Sequence, residues 1–268
     1  MKTDYCNFIL QRAKIIFFDI DGTLIDMQTK RITPATLDTL RRLRAGGVRI
    51  CLATGRSPVT LPEIPGIAFD AYITFNGSLC YTETDTIFSQ PIAPGDVRTL
   101  VRNADALGRP VAVATRYKLA ANGADEDLRD YFAIANEVPP IVQDFNALCE
   151  TQQIYQLMLG CRKRDYPAVL QGAHGAKIAA WWDRAVDVIP AGGGKGIGIQ
   201  KTLAYFGLTA AQAAAFGDGN NDCEMLDAVG MGVAMGNASP ELKARADAVC
   251  GDVAQDGIYR FCVENQWI

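Results

Sequence analysis

The sequence contains a single histidine, His174, no C-x-x-C pair and no surplus of basic residues, and each lack closes off a class of function. A Ser-His-Asp hydrolase or a multi-histidine metal site needs imidazole at its centre, whereas His174, within Gly172-Ala173-His174-Gly175, reads as an ordinary turn residue. The eight cysteines, at 6, 51, 80, 149, 161, 223, 250 and 262, have neither zinc-knuckle nor disulfide-framework spacing. They read as small apolar residues in a reducing compartment. A net charge of -4 argues against a nucleic-acid-binding surface and against docking on anionic membranes. No apolar run approaches the roughly 20 residues that span a bilayer, and Phe8-Ile9-Leu10 is too short a kernel for a secretory signal. A cytoplasmic protein is expected. Internal repeats and low-complexity tracts are also missing.

What is present is the composition of a globular protein, 268 residues with 49% hydrophobic and 21% charged, enough for one large lobe or two modest ones. An apolar run at 14–20 has strand length, and Thr33-Pro34 then supplies an N-cap and first helical residue ahead of Leu37, Leu40 and Leu43. Gly46 closes that helix. Residues 48–53 read as a second strand, followed by Ser57-Pro58 as another cap-and-start pair. A third strand at 71–75 ends in the turn former Asn76-Gly77, with 79–81 returning. From 82 the pattern becomes mixed, with helical or strand-like pieces at 94–107, 109–115 and 153–160. A hairpin of 177–182 with 185–189 follows, in which Trp181-Trp182 reads as packing. After Gly192-Gly193-Gly194 the alternation resumes with a helix at 195–206 capped by Gly207, a strand at 213–216, a helix at 222–229, a strand at 232–235 and a helix start at Ser239-Pro240. This predicts an α/β fold, a three-layer doubly wound, mainly parallel Rossmann-like core over 1–81 and 190–268. An α+β cap domain is inserted at 82–189.

Two acidic clusters sit where strands end. In Phe18-Asp19-Ile20-Asp21-Gly22-Thr23-Leu24 the carboxylates leave a buried strand two positions apart, and alternate positions of an extended chain share a face. Ligands of open α/β sheets bind outside the carboxyl ends of the strands, so both acids are candidates for a binding crevice. A solvated acidic turn would look the same in isolation. Gly217-Asp218-Gly219-Asn220-Asn221-Asp222 repeats the placement with hard oxygen donors. It is no EF-hand loop, which would need Gly at Cys223 and Glu at Val229. Ala53-Thr54-Gly55-Arg56 offers a hydroxyl and backbone N–H groups at another strand end, and Lys195 in Gly194-Lys195-Gly196 offers a point charge near a helix start. A Walker A loop would need Gly at Ile189 and Ser or Thr at Gly196.

In this order and separation the stretches resemble the motifs of the haloacid dehalogenase-like phosphatases, specifically their Cof-type branch. Asp19-x-Asp21-Gly22-Thr23 resembles the first motif, Thr54-Gly55-Arg56 the second, Lys195-Gly196 the third and Gly217 to Asp222 the fourth. Asn76-Gly77 and Ala234-Met235-Gly236-Asn237-Ala238 recur in the same branch. The resemblance covers the core and carries no residue of the cap. It implies a phosphoric monoester hydrolase acting on small phosphorylated metabolites, with sugar phosphates foremost. Mg2+ is the implied cofactor, held by Asp19, the carbonyl of Asp21 and Asp218. Asp19 is the implied nucleophile and Asp21 the acid and base. Thr54, Gly55, Lys195 and Asn221 are the implied phosphate grips, with Asp222 and Arg56 in support. A phosphomutase or phosphotransferase with the same phosphoaspartate, and a silent binding protein, are the alternatives.

Overall fold

The computed structural model describes residues 13–135, 137–180 and 182–268; Cys6, Phe8-Ile9-Leu10 and Trp181 lie outside the described residues. In chain order the strands are β1 (Ile15–Phe18), β2 (Arg49–Ala53), β3 (Ala71–Thr74), β4 (Leu79–Tyr81), β5 (Thr86–Ser89), β6 (Val111–Ala114), β7 (Leu119–Ala121), β8 (Gln156–Gly160), β9 (Ala176–Ala179), β10 (Ala185–Pro190), β11 (Ala213–Gly217), β12 (Met231–Ala234) and β13 (Ala248–Val249). The chain divides into two compact units. One comprises the chain up to Gly55, Pro62–Phe88 and Gly194–Ile268, and the other Ser89–Gly193 with the short segment Arg56–Leu61.

The first unit is built on a sheet of order β13-β12-β11-β1-β2-β3-β4-β5. Every residue of β1 is buried, as its unbroken apolar run requires of a strand covered on both faces. β1 runs parallel to both neighbours, with Phe18 in register with Leu52 of β2 and Phe216 of β11. From β1 the chain winds outward through β2 and β3, and on returning it winds the other way through β11, β12 and β13. The carboxyl ends of β1 and β11 therefore flank a topological switch point, the place where such sheets leave a crevice. The helix Pro34–Ala45 starts where Thr33 Oγ1 accepts the Thr36 N–H at 3.1 Å, and buries Leu40 and Leu43. The helix Lys195–Phe206 stops at Gly207, whose φ of +67° is the left-handed cap conformation. Ser57-Pro58 starts only a three-residue 3-10 turn, Pro58–Thr60. The proline at 62 holds Leu61 extended, with ψ at 130°, and no helix can grow through it.

The second unit carries an antiparallel sheet of order β7-β6-β8-β10-β9. Val111 and Val113, Leu157 and Leu159, Val186 and Val188 alternate along their strands. They share one face, where Val97 and Leu100 of the helix Pro94–Ala106 join them in a core. The hairpin expected near 177–189 is β9 against β10, with β9 ending at Ala179. Among the described residues, no helix is long and apolar enough to cross a membrane.

Candidate active site

Asp19 is the residue after β1, 7% exposed, and its backbone N–H donates to the Phe216 carbonyl at 3.0 Å. Lys195 is the first residue of its helix and is 1% exposed. Its Nζ lies 2.6 Å from Asp19 Oδ1 and 2.5 Å from Asp222 Oδ1. A buried ammonium between two carboxylates is a paired charge, which is the condition for tolerating it in the interior. Burial opposes the charge on Lys195, but Asp19 and Asp222 outweigh it and hold the ammonium above its ordinary pKa. Asp222 also serves the backbone, since its Oδ2 accepts the N–H groups of Asp218 and Gly219, each at 3.0 Å. It is the internal brace of the 217–222 loop, and both its oxygens are engaged.

Asp218 receives a hydrogen bond at 3.0 Å from Thr23 Oγ1, across 195 positions of sequence. That bond joins the two acidic loops. Their approach is so close that a Cβ on Gly22 would lie 2.2 Å from Asp218 Oδ2, and Gly22 also holds φ at +86°. Asp19, Asp218 and Asp222 each offer an oxygen within 4.8 Å of the others, a grouping able to hold a metal ion. Among the described residues, Lys195 is the one ammonium that contacts this trio. Burial raises the Asp19 pKa well above the usual carboxylate value, Lys195 opposes the rise, and Asp222, Asp218 and Asp21 add to it. Asp218 is pushed up to about 7, by burial first and Asp222 next. The surplus of negative charge on hard oxygen donors is the chemistry that suits a divalent cation such as Mg2+. Both oxygens of Asp222 hold hydrogen bonds within the protein, whereas Asp19 is bonded through Oδ1 to Lys195 and Asp218 through Oδ1 to Thr23. Asp21 is half-buried in the same turn.

Thr54 and Gly55 follow β2. Thr54 is buried, its N–H donates to Ile73 O at 2.9 Å, and its carbonyl accepts the Asn76 N–H at 3.0 Å. Asn221 Nδ2 donates to Asn76 Oδ1 at 3.2 Å, so Asn76 links the strand-end loop after β2 to the 217–222 loop. Asn76 holds φ at +50°, a region that Asn tolerates better than most residues. At Gly77 a Cβ would meet the Gly194 carbonyl at 2.0 Å, a close approach directly before Lys195. Arg56 belongs to the second unit, where its Nη1 donates to Thr60 O at 2.9 Å.

The structure thus assembles Asp19, Lys195, Asp218 and Asp222, and brings Thr54, Gly55 and Asn221 together through Asn76. The linking roles of Thr23 and Asn76 escaped the sequence reading. The first lies inside a motif quoted for its acids, and Asn76-Gly77 registered as a turn and as a stretch recurring in the Cof-type branch, without a role for the Asn76 side chain. Likeness to known proteins decides what this arrangement belongs to. A haloacid dehalogenase-like hydrolase family model matches residues 16–262. The chain belongs to that family. Within it, the chain is 34% identical over 249 residues to YkrA of Bacillus subtilis strain 168, which carries a phosphatase name, covering 92% of this chain and 95% of YkrA. It is 30% identical over 255 residues to the HMP-PP phosphatase of Escherichia coli O9:H4, covering 87% of each. Among solved structures it resembles the subclass IIB sugar phosphatase BT4131, with a TM-score of 0.86 and 28% identity over 96% of this chain and all (100%) of that one. The Cof-type resemblance and the α/β fold expected from the motifs both hold.

Proposed function

We propose that this haloacid dehalogenase-like hydrolase is a Mg2+-dependent phosphatase of small phosphorylated metabolites, sugar phosphates foremost, working through a phosphoaspartate on Asp19. The observation that carries the proposal is the buried Lys195 Nζ, 2.6 Å from Asp19 and 2.5 Å from Asp222, beside an unbalanced Asp218. Mg2+ held by Asp19, the Asp21 carbonyl and Asp218 supplies the charge neutralisation that lets an anionic nucleophile approach a phosphate dianion.

The chain's own residues then do the following. Lys195 favours the ionised form of the Asp19 carboxylate and fixes its orientation, and its remaining proton is a donor to a phosphoryl oxygen. Thr54, Gly55 and Asn221 hold the other oxygens, stabilising charge as the loose transition state forms. The Asp19 oxygen bonds to phosphorus as the bond to the leaving oxygen breaks, and Asp21 gives that oxygen its proton. Water next attacks the acyl phosphate, Asp21 takes back a proton, and inorganic phosphate leaves with Asp19 restored. Asp222 braces the loop and Lys195, and Arg56 anchors its own loop through the Thr60 carbonyl. The unit that contains residues 89–193 serves as the cap that selects the substrate. The likeness to a sugar phosphatase and to an HMP-PP phosphatase supports small phosphorylated substrates. A cytoplasmic setting is supported by the described cysteines, all of them free thiols.

The test is phosphate release from p-nitrophenyl phosphate, hexose phosphates and HMP-PP, with and without Mg2+, for wild type, Asp19→Asn and Asp21→Asn. Activity that needs Mg2+ and is lost in both variants supports the reading. Folded wild-type protein that releases phosphate from nothing overturns it.

A further inference from the structure

Asn237 has no part in the chemistry above, yet both ends of its side-chain amide are engaged. Its Nδ2 donates to the Gly22 carbonyl at 2.7 Å, across 215 positions of sequence, and its Oδ1 accepts the Val253 N–H at 3.0 Å. The residue is itself exposed, so its burial explains neither bond. Gly22 is held from the other side as well, its N–H donating to the Ile25 carbonyl at 2.9 Å. With φ at +86° and no side chain, Gly22 is the most freely rotating point of the Asp21-Gly22-Thr23 turn. Pinning both of its peptide groups fixes the direction of the Asp21 carbonyl on one side and of Thr23 on the other. The segment that carries Asn237 also grips the second acidic loop. Met235 N–H donates to Gly217 O at 2.9 Å, and Ser239 N–H to Asp218 O at 3.0 Å.

We propose that Asn237 is a positioning residue for the phosphoryl chemistry: by clamping the Gly22 carbonyl it fixes the Gly22-Thr23 peptide group, and through the Thr23 bond to Asp218 it sets the spacing of the Asp19 and Asp218 loops. This rests on the phosphatase reading given above. Its distinctive consequence is a kinetic loss without a matching loss of substrate affinity, because the clamp touches the acid-base and metal-holding turn and no phosphate grip. A misplacement of about 1 Å can cost on the order of 10²-fold in rate.

The experiment compares Asn237→Ala, Asn237→Asp and Val253→Pro with wild type. Asn237→Asp keeps the acceptor for Val253 but sets an oxygen against the Gly22 carbonyl. Val253→Pro removes the Val253 donor and leaves the Asn237 bond to Gly22 in place, at the first position of a 3-10 turn where proline is tolerated. Expected are kcat values about 10- to 100-fold below wild type for both Asn237 variants, with KM for p-nitrophenyl phosphate within about twofold, and near wild-type kcat for Val253→Pro. Exchange of the Thr23 amide, which shares its peptide group with the Gly22 carbonyl, followed by mass spectrometry, is expected to quicken in the Asn237 variants and to stay slow in Val253→Pro. Equal kinetic losses in Val253→Pro and Asn237→Asp, or losses in KM alone, overturn the proposal in favour of a structural role. A wild type with no phosphatase activity overturns the functional reading and the catalytic half of this proposal with it, and the amide exchange then decides the clamp alone.

Discussion

Each unit holds one dense cluster of charge, and the two are opposites. In the first, the single ammonium of Lys195 faces Asp19, Asp218 and Asp222. In the second, the carboxylate of Asp127 is surrounded by guanidinium groups. Arg162 binds it through two bonds of 3.1 Å, Arg184 Nε donates at 3.0 Å and Arg109 Nη1 at 3.1 Å. Asp125 and Asp130 complete the balance on Arg109 and Arg184 at 2.9 and 2.7 Å. Burial works against the charge of Asp127, but Arg162 and Arg184 overcome it and hold its pKa below the usual value. Asp19 and Asp218 shift the other way. The difference teaches which cluster is balanced: Asp127 is matched by its arginines, while the Lys195 cluster is short of positive charge and able to hold a cation.

The sharpest way to break this comparison is to remove the central charge of each cluster. Lys195→Met is expected to abolish phosphate release and to destabilise the fold by about 3 to 5 kcal/mol, because two buried carboxylates lose their counter-charge. Denaturant unfolding and a phosphate assay measure both. Asp127→Asn is expected to cost less, about 2 kcal/mol, because its arginines are about a third exposed (32 to 35%). The contribution of Asp127 should be complete above the ordinary carboxylate pKa of about 3.9 and be lost as the pH falls through its lower folded value. Acid melts of wild type should therefore lose stability below about pH 4, and Asp127→Asn should flatten that limb.

Mg2+ removal sharpens the contrast at smaller amplitude. Cation binding needs a deprotonated Asp218, whose pKa is pushed up to about 7, so the half-saturating Mg2+ concentration should fall between pH 6 and 8. At about ten times that concentration Mg2+ should add about 1.4 kcal/mol of stability, an effect absent in Asp218→Ala. The smallest effect is expected for Thr23→Val, which deletes one hydrogen bond to Asp218, worth about 1 kcal/mol. It should weaken Mg2+ activation about fivefold and leave the Asp127 cluster untouched, as calorimetric Mg2+ titration and melting curves can show.

Legibility in the sequence followed burial. β1, β2 and β11 are covered on both faces, so Ile15 to Phe18, Ile50 to Ala53 and Ala213 to Phe216 stand out as apolar runs. β7, with Leu119-Ala120-Ala121, has no such contrast, and the helix Glu126–Ile134 went unread although Asp125 caps it through the Leu128 N–H at 2.8 Å. The C-terminal helix Gly257–Glu264 begins at Asp256 in a left-handed conformation, which carries no ordinary start signal. At the site, the acids and Lys195 were legible because each sits at the end of a recognisable element. The bonds of Thr23, Asn76 and Asn237 were not, since they join residues 145 to 215 positions apart and depend on how loops meet.

The central place of β1 also has a consequence for synthesis of the chain. β1 pairs with β2 soon after it emerges, but its other partner, β11, is encoded about 200 residues later. At about 5 to 20 residues per second a nascent chain carries this apolar strand with one side unpaired for about 10 to 40 s. Throughout that interval the strand intended for the middle of the sheet is an edge, open to pairing with other chains. Ribosome-bound fragments ending before residue 213 should therefore need chaperones that fragments ending after β12 can do without.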